Sequence, residues 1–295
     1  MIFSRKKEKK ELFKKAKKEG WAIGAFNFSN LEILKAIFQA AKKLKSPVIV
    51  ATSEGESRYI GLKQAATIVR VFEKEYMVPA ILNLDHGKSF DYIKEAIEAG
   101  YDMVHFDGSD LPLKENIEIT KKIVALARKK DVLVEGEVGC IKGSSMILQM
   151  APEIKEEDLT DPKESRYFIE GTKIDSLAVS IGNFHGIDVH KEDKYINFKR
   201  LEEISNEVGN DVFLVLHGGS GIPTEEIKKA IELGIIKVNV NTELRMAFSE
   251  TIKKILSQGN KESTPYKYML EVIDTVQKVV ENKIIIFNSQ KKLKI

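Results

Sequence analysis

The chain of 295 residues carries 47 basic and 44 acidic side chains, for a net charge of +3, and 43% of its residues are hydrophobic. That length supports one large α/β domain with a substantial core, and the near-balanced charge removes any global case for nucleic acid as a partner. No run of about 18 apolar residues is available to span a bilayer, and a lone cysteine, Cys140, excludes an intramolecular disulfide and fits a reducing compartment.

The opening stretch MIFSRKKEKKELFKKAKKEG is lysine-rich and lacks an apolar h-region or a small-residue cleavage site, so it does not read as a secretory signal. A cytoplasmic location is expected. Lys6 to Lys18 read as a helix with a solvated basic face, with neither nucleic acid nor membrane expected as its partner. Short apolar, β-branched runs then recur at 22–28, 47–52, 79–84, 103–106, 132–138, 177–182, 212–217 and 236–240. Between them lie segments of helical period, such as LEILKAIFQAAKKLK at 31–45 and NIEITKKIVALARKK at 116–130. Gly100 and Gly234 stop helices, and Pro223 with Thr224 opens one. Eight strand–helix units point to a (β/α)8 TIM barrel over 1–295 as a single domain. A doubly wound sheet fits less well, because no GxGxxG follows the first strand. The segment 141–165 is the one long irregular connection, and such connections are commonly active-site lids.

A barrel of this kind builds its active site at the C-terminal ends of its strands, and the polar residues of this chain fall there. LDHG ends the third strand with Asp85 and His86, and HFDGS ends the fourth with Asp107. EGEVG ends the fifth with Glu135 and Glu137, and IGNFHG ends the sixth with His185. LHGGSG ends the seventh with His217, and NVNTELR ends the eighth with Asn239, Asn241 and Arg245. His86, His185 and His217 each precede a glycine. Three imidazoles converging from separate strands suit zinc, which takes nitrogen ligands tetrahedrally and leaves one position open in catalytic sites. In Gly218-Gly219-Ser220-Gly221, a loop nearly without side chains lets backbone N–H groups approach an anion at the helix that follows.

These motifs, AFNFSN, SEG, NLDHG, FDGS, VEGEVG, DSLAVSIGNFHG, LVLHGGSGIP and KVNVNTELR, resemble in order the zinc-dependent class II fructose-bisphosphate aldolases, a family that includes tagatose-bisphosphate aldolases. The resemblance runs from about residue 11 to about 289. It implies that His86, His185 and His217 hold the zinc, and that Asp85 moves the proton of the C4 hydroxyl. It implies that Asp107 and Glu137 approach the metal in an alternative, more buried position. It assigns Gly186, Gly218, Ser220, Asn239, Asn241 and Thr242 to dihydroxyacetone phosphate, with Ser53 and Asn27 nearby and Arg245 at the distal phosphate. A monovalent cation, Na+ or K+, is often found near that loop, and relatives are commonly homodimers or homotetramers. The implied substrate is fructose 1,6-bisphosphate, with tagatose 1,6-bisphosphate, another ketose phosphate or a non-catalytic zinc- and phosphate-binding barrel as alternatives.

The departure from the family lies after the fifth strand, where Gly143, Ser144 and Ser145 stand in place of a glycine pair and an acid/base glutamate. Either another group, such as Glu153, Glu156 or Glu157, supplies that proton, or the activity is altered. Cleavage beside a ketose carbonyl develops enediolate charge that a Lewis-acid metal stabilises, and a carboxylate beside a metal ligand is well placed to exchange a hydroxyl proton. Of the remaining candidates, His105 is expected to fill a packing layer inside the barrel, and His190 to lie in a surface loop. Cys140 reads as a buried, inert thiol, and Trp21, Phe26 and Phe28 read as packing. Lys237 begins its strand and Lys142 lies on the irregular segment, so neither is read as a Schiff-base lysine.

Overall fold

The computed structural model describes residues 6–188, 195–210, 212–258 and 262–293. Ten strands occur among the described residues, in chain order β1 (Ile23–Asn27), β2 (Val48–Ser53), β3 (Ala80–Gly87), β4 (Met103–Phe106), β5 (Leu133–Val138), β6 (Gly143–Leu148), β7 (Ser176–Val179), β8 (His185–Asp188), β9 (Phe213–Leu216) and β10 (Ile235–Val240). Eight close into a parallel barrel in the order β1-β10-β9-β7-β5-β4-β3-β2, as the alternation of strand and helix signals predicts. The other two, β6 and β8, pair with each other outside it. Two expectations change here. The segment 141–165 holds β6 and a 3-10 turn at Glu156–Asp158, and the sixth barrel strand ends at Val179, so His185 heads the small outer strand β8. His190 lies outside the described residues.

The helices are α1 (Lys6–Glu19), α2 (Leu31–Leu44), α3 (Glu54–Ile60), α4 (Leu62–Tyr76), α5 (Phe90–Ala99), α6 (Leu113–Arg128), α7 (Pro162–Thr172), α8 (Phe198–Val208), α9 (Thr224–Glu232), α10 (Thr242–Ser257) and α11 (Pro265–Ile286). Successive strand residues point to opposite faces, and that alternation separates two cores. Outward residues such as Val48, Val50, Leu82 and Leu84 join the apolar stripes of the helices, including Ile33, Leu34, Ile37 and Phe38 of α2. Inward residues such as Ile23, Ala25, Ile49, Ile81, Met103 and Leu133 form the lower barrel layers. Asn27, Asp85, His105, Glu135, Lys237 and Asn239 fill the upper ones and are likewise buried. The barrel is therefore apolar at its N-terminal end and polar at its C-terminal end.

Helix α1 closes the apolar end. Its Leu12, Phe13 and Ala16, with Trp21 beyond its end, join the lower-layer cluster. Its lysines are not all solvated as the sequence implies: Lys9 is buried against Asp102 at 2.7 Å, and Lys10 meets Asp175 at 2.5 Å. Both acids also accept strand backbone N–H groups, those of Leu82 and Val134. The basic helix is thus matched to acids at the barrel floor, and α11 covers the opposite seam by packing on α2 and α10. Phe13 is 1% exposed, with its ring 5.3 Å from that of Phe213. The substitution Phe13→Ala is expected to lower unfolding stability by about 3–5 kcal/mol in urea titration; a change below about 1 kcal/mol would show that α1 is not part of the cooperative core.

Candidate active site

Asp85 and His86 are neighbours in a strand, and regular pleating would send them to opposite faces. The register between β3 and β4 slips here, with Leu84 opposite Val104 but Gly87 opposite Phe106. The bulge re-aims the strand end. His86 takes up the turn with φ 51°, in the left-handed region that non-glycine residues seldom occupy. Both side chains consequently reach the same polar chamber. Asp85 Oδ2 accepts from Asn27 Nδ2 at 3.0 Å and Asp85 Oδ1 from Asn239 Nδ2 at 2.9 Å, so β1 and β10 hold the carboxylate from two sides.

His86, His217 and His185, the last at the head of β8, converge. Ring centroids lie 4.7 Å apart for His86 and His217, 4.6 Å for His86 and His185, and 5.9 Å for His185 and His217. His86 Nδ1 is engaged by Asp107 at 2.8 Å, which turns Nε2 toward the centre. His217 Nε2 is engaged by Glu135 at 2.8 Å, which turns Nδ1 the same way. Those two inward nitrogens stand 3.0 Å apart. Nitrogens on one tetrahedral zinc lie roughly 3.3 Å apart, given Zn–N of about 2.0–2.1 Å. Carboxylates on the far ring nitrogens are the usual means of fixing a ligating imidazole. A second grouping brings ligand atoms of His86, Asp107 and Glu137 within 4.8 Å of one another. Glu137 Oε2 is buried and lies 3.3 Å from His105 Nε2. The donor set fits a divalent metal. His105, wholly buried, lies behind His86 and accepts the His86 backbone N–H on Nδ1 at 3.2 Å, and one of its ring nitrogens also falls within 4.8 Å of ligand atoms of Asp85, His86 and His217.

Charge beneath the histidines is arranged in a chain. Lys237 Nζ donates to both oxygens of Glu135, at 3.0 and 2.7 Å, and all three side chains of the Lys237–Glu135–His217 series are buried. Lys237 begins its strand, as the sequence reads, but its amine extends up the barrel interior to the support of a candidate ligand. Burial alone would raise the Glu135 carboxyl, yet Lys237 and the His217 hydrogen bond hold it well below its ordinary value. Asp85 is likewise depressed, since His86, His217 and Lys237 outweigh its burial. Burial opposes charge on His86, but Asp85 and Asp107 push its pKa up to about 9, while burial keeps His217 below its usual value. A protonated His86 then donates to Asp107 and to His217.

On the other side of Asp85, seven of the nine substrate-binding residues the sequence predicts gather with Ser145, while Ser53 and Arg245 are not among the residues lining that cavity. Asn27, Ser145, Gly186, Gly218, Ser220, Asn239, Asn241 and Thr242 line one cavity with Asp85, His185 and His217. The glycines answer to crowding. Gly218 has φ 64°, and a Cβ there would fall 2.2 Å from the carbonyl oxygen of Phe184; at Gly186, with φ 96°, it would meet two carbonyl oxygens of β6 at 2.6 Å. Gly221 N donates to Glu243 Oε1 at 2.8 Å, and Glu243 is itself paired with Lys283, so part of the loop is already bound by a carboxylate. Asn27 Oδ1 and Asn239 Oδ1 are buried acceptors with no partner among the described residues.

One residue of this cluster escaped the reading of the sequence. Glu56, 6% exposed, accepts from Asn27 Nδ2, the Ser53 backbone, Asn241 Nδ2 and Arg245 Nη2. The available signal was the S-x-x-E pattern of Ser53 and Glu56, a capping box that opens α3 directly at the end of β2. The loop glutamates fare differently. None of Glu153, Glu156 and Glu157 lines the cavities around the histidines, and Glu156 pairs with Arg200 on α8. β6 pairs with β8 and brings Ser144 and Ser145, not these glutamates, to the cavities around the histidines, which does not support one of them as the source of the missing proton. Lys142 pairs with Asp158 at 2.6 Å, and Cys140 is half-buried, its thiol pushed up by burial and by Asp110 and Asp158.

The family described as Fructose-bisphosphate aldolase class-II matches residues 7–292. A protein of Bacillus subtilis (strain 168) named "Probable fructose-bisphosphate aldolase" is 40% identical over 289 residues, covering 95% of this chain and 96% of its own. "Fructose-bisphosphate aldolase" of Staphylococcus aureus (strain N315) is 37% identical over 297 residues, covering 97% and 98%. Among solved structures, the YdjI aldolase from Escherichia coli K12 superposes with TM-score 0.82 at 30% identity, covering 97% of this chain and 98% of its own. The fructose-bisphosphate aldolase of Campylobacter jejuni, at 24% identity and TM-score 0.83 over 98% and 96% of the chains, shares the fold. The chain belongs to the class II fructose-bisphosphate aldolase family and is a lyase of the aldolase type. That family is generally metal-dependent and acts on sugar phosphates.

Two outcomes follow from the charge arrangement. A metal taking His86 Nε2 displaces its proton, so below about pH 9 apparent metal affinity in chelator competition is expected to rise about tenfold per pH unit and to level off above it. A pH-independent affinity between 6 and 8 would contradict the raised His86. The change Lys237→Met leaves Glu135 a buried charge with one partner fewer, and is expected to destabilise the fold by about 3–5 kcal/mol on urea titration; less than about 1 kcal/mol would mean that Glu135 is neutral.

Proposed function

We propose that this chain is a zinc-dependent aldolase that cleaves fructose 1,6-bisphosphate reversibly to dihydroxyacetone phosphate and glyceraldehyde 3-phosphate. The observation that carries the reading is the placement of Asp85 between the imidazole cluster and the cavity of Asn239, Asn241 and the 218–221 loop. His86, His185 and His217 would hold the zinc, with Asp107 and Glu137 serving the alternative position. When bound, zinc supplies Lewis-acid stabilisation of the charge that develops beside the ketose carbonyl.

Asp85 takes the C4 hydroxyl proton as the carbon–carbon bond breaks and returns it in condensation. Its depressed pKa keeps it ionised at neutral pH, and two asparagine amides fix its oxygens. The unpartnered Asn27 and Asn239 carbonyls accept substrate hydroxyl protons. Gly218, Ser220, Asn241 and Thr242, with Gly186 and Ser53 beside them, receive the dihydroxyacetone phosphate group at the N-terminus of α10, where backbone N–H groups and the helix dipole favour an anion. Arg245, one turn further on, takes the distal phosphate. The protein is read as a single barrel domain working in the cytoplasm as a homodimer or homotetramer. Among the described residues no helix is long and apolar enough to cross a membrane.

Purified protein is expected to cleave fructose 1,6-bisphosphate, to lose that activity to a chelator and to recover it with zinc. Failure to cleave it with one zinc bound per chain would sink the fructose reading, and tagatose 1,6-bisphosphate would be assayed next. With metal content unchanged, Asp85→Asn is expected to lower kcat by ~10²–10⁴-fold; a loss of less than about threefold would remove Asp85 from the proton transfer.

A further inference from the structure

Arg245 is the cation assigned to the distal phosphate, and its guanidinium is already engaged on two sides. Its Nη2 lies 2.5 Å from Glu56 Oε1, and its Nη1 donates to the Ser145 carbonyl of β6 at 2.9 Å. The carboxylate cannot easily be pushed aside. Glu56 is 6% exposed, its backbone N–H is bonded to Ser53 Oγ, and its Oε2 is held by the Ser53 N–H at 2.7 Å and Asn27 Nδ2 at 3.0 Å. Its Oε1 also takes Asn241 Nδ2 at 3.3 Å, so a single fixed anion engages four of the residues assigned to the substrate, Asn27, Ser53, Asn241 and Arg245. A phosphate arriving at Arg245 meets that negative charge and must share or displace it.

We infer that Glu56 is a specificity-determining residue, which neutralises Arg245 and thereby weakens the site's preference for a ketose carrying a second, distal phosphate over one that lacks it. The inference rests on the reading of this cavity as the sugar-phosphate site. Glu56 acts here through charge and not through proton transfer: both its oxygens are engaged by donors, two on each, including a guanidinium. Substrates that end in a neutral hydroxyl lose nothing to it, whereas bisphosphates do.

The test compares wild type with Glu56→Gln, which keeps the side-chain shape and removes the charge. KM and kcat are measured for fructose 1,6-bisphosphate and for fructose 1-phosphate, and the affinity for inorganic phosphate is measured by calorimetry at constant ionic strength. The KM ratio, bisphosphate over monophosphate, is expected to fall roughly tenfold, the size of one charge-assisted hydrogen bond. Phosphate is expected to bind more tightly in step. Both gains should vanish in an Arg245→Gln background, because the effect runs through that pair. Glu56→Ala, with thermal unfolding as a control, serves if the glutamine variant folds poorly. An unchanged ratio overturns the inference, as does a gain that survives Arg245→Gln. Loss of kcat with both sugars at unchanged KM also overturns it, since Glu56 would then be moving a proton. If wild type cleaves neither sugar the aldolase reading fails, while the phosphate titration still decides the role of Glu56.

Discussion

Glu135 is a carboxylate with no access to water at the centre of a barrel, and the site above it depends on keeping it charged and satisfied. An isolated buried carboxylate would neutralise. Lys237 prevents that by donating to both oxygens from β10, and Glu135 Oε1 then receives the far nitrogen of His217. The tautomer and the inward nitrogen of His217 follow from this bond, and His86 follows from its contact with His217 and Asp107. A buried pair of this kind does not by itself make a fold more stable. What it does here is orient the His217 ring and, through it, the His86 ring.

Such a polar layer has to be supported from elsewhere. The lower barrel is closed by Phe13, Ala16 and Trp21, and the outer face of every barrel strand rests on apolar helix stripes. Those layers hold the strand ends still while the bulge at Asp85 and His86 and the left-handed φ of His86 place two adjacent side chains in one chamber. Strain and polarity sit at the C-terminal rim, and regular packing sits below it. The same division explains the outer pair β6 and β8. Where the chain leaves the barrel after β5, its Met146, Ile147 and Met150 stay exposed, and it is tied by Gly143, Gly186 and the Arg245–Ser145 bond.

The glycines of the 218–221 loop show how two constraints coincide. Gly218 is required by the approach of the Phe184 carbonyl whatever the loop binds. An anion-binding loop and a tightly packed rim both demand a backbone without side chains, so glycine content alone does not separate them. The neighbouring groups do: Asn241 and Thr242 follow β10 onto α10 and line the same cavity as Ser220, and Arg245 reaches Glu56 beside it.

The sequence by itself determined the order of strands and helices, the barrel, the family, and the placement of Asp85, His86, His217 and the asparagines at strand ends. Each is written in local signals: alternation, helical period, and a polar residue or glycine where an apolar run stops. Tertiary structure decided what distant residues do to one another. Glu56 stands 189 positions from Arg245 and Lys237 stands 102 from Glu135, and no local pattern reports such pairs. It decided that His185 opens β8 and that Glu156 turns to Arg200, because pairing outside the barrel is chosen by which backbone edges meet. It decided, too, that Lys9 is buried, since only a barrel floor carrying Asp102 converts a lysine on a basic helix into a core residue.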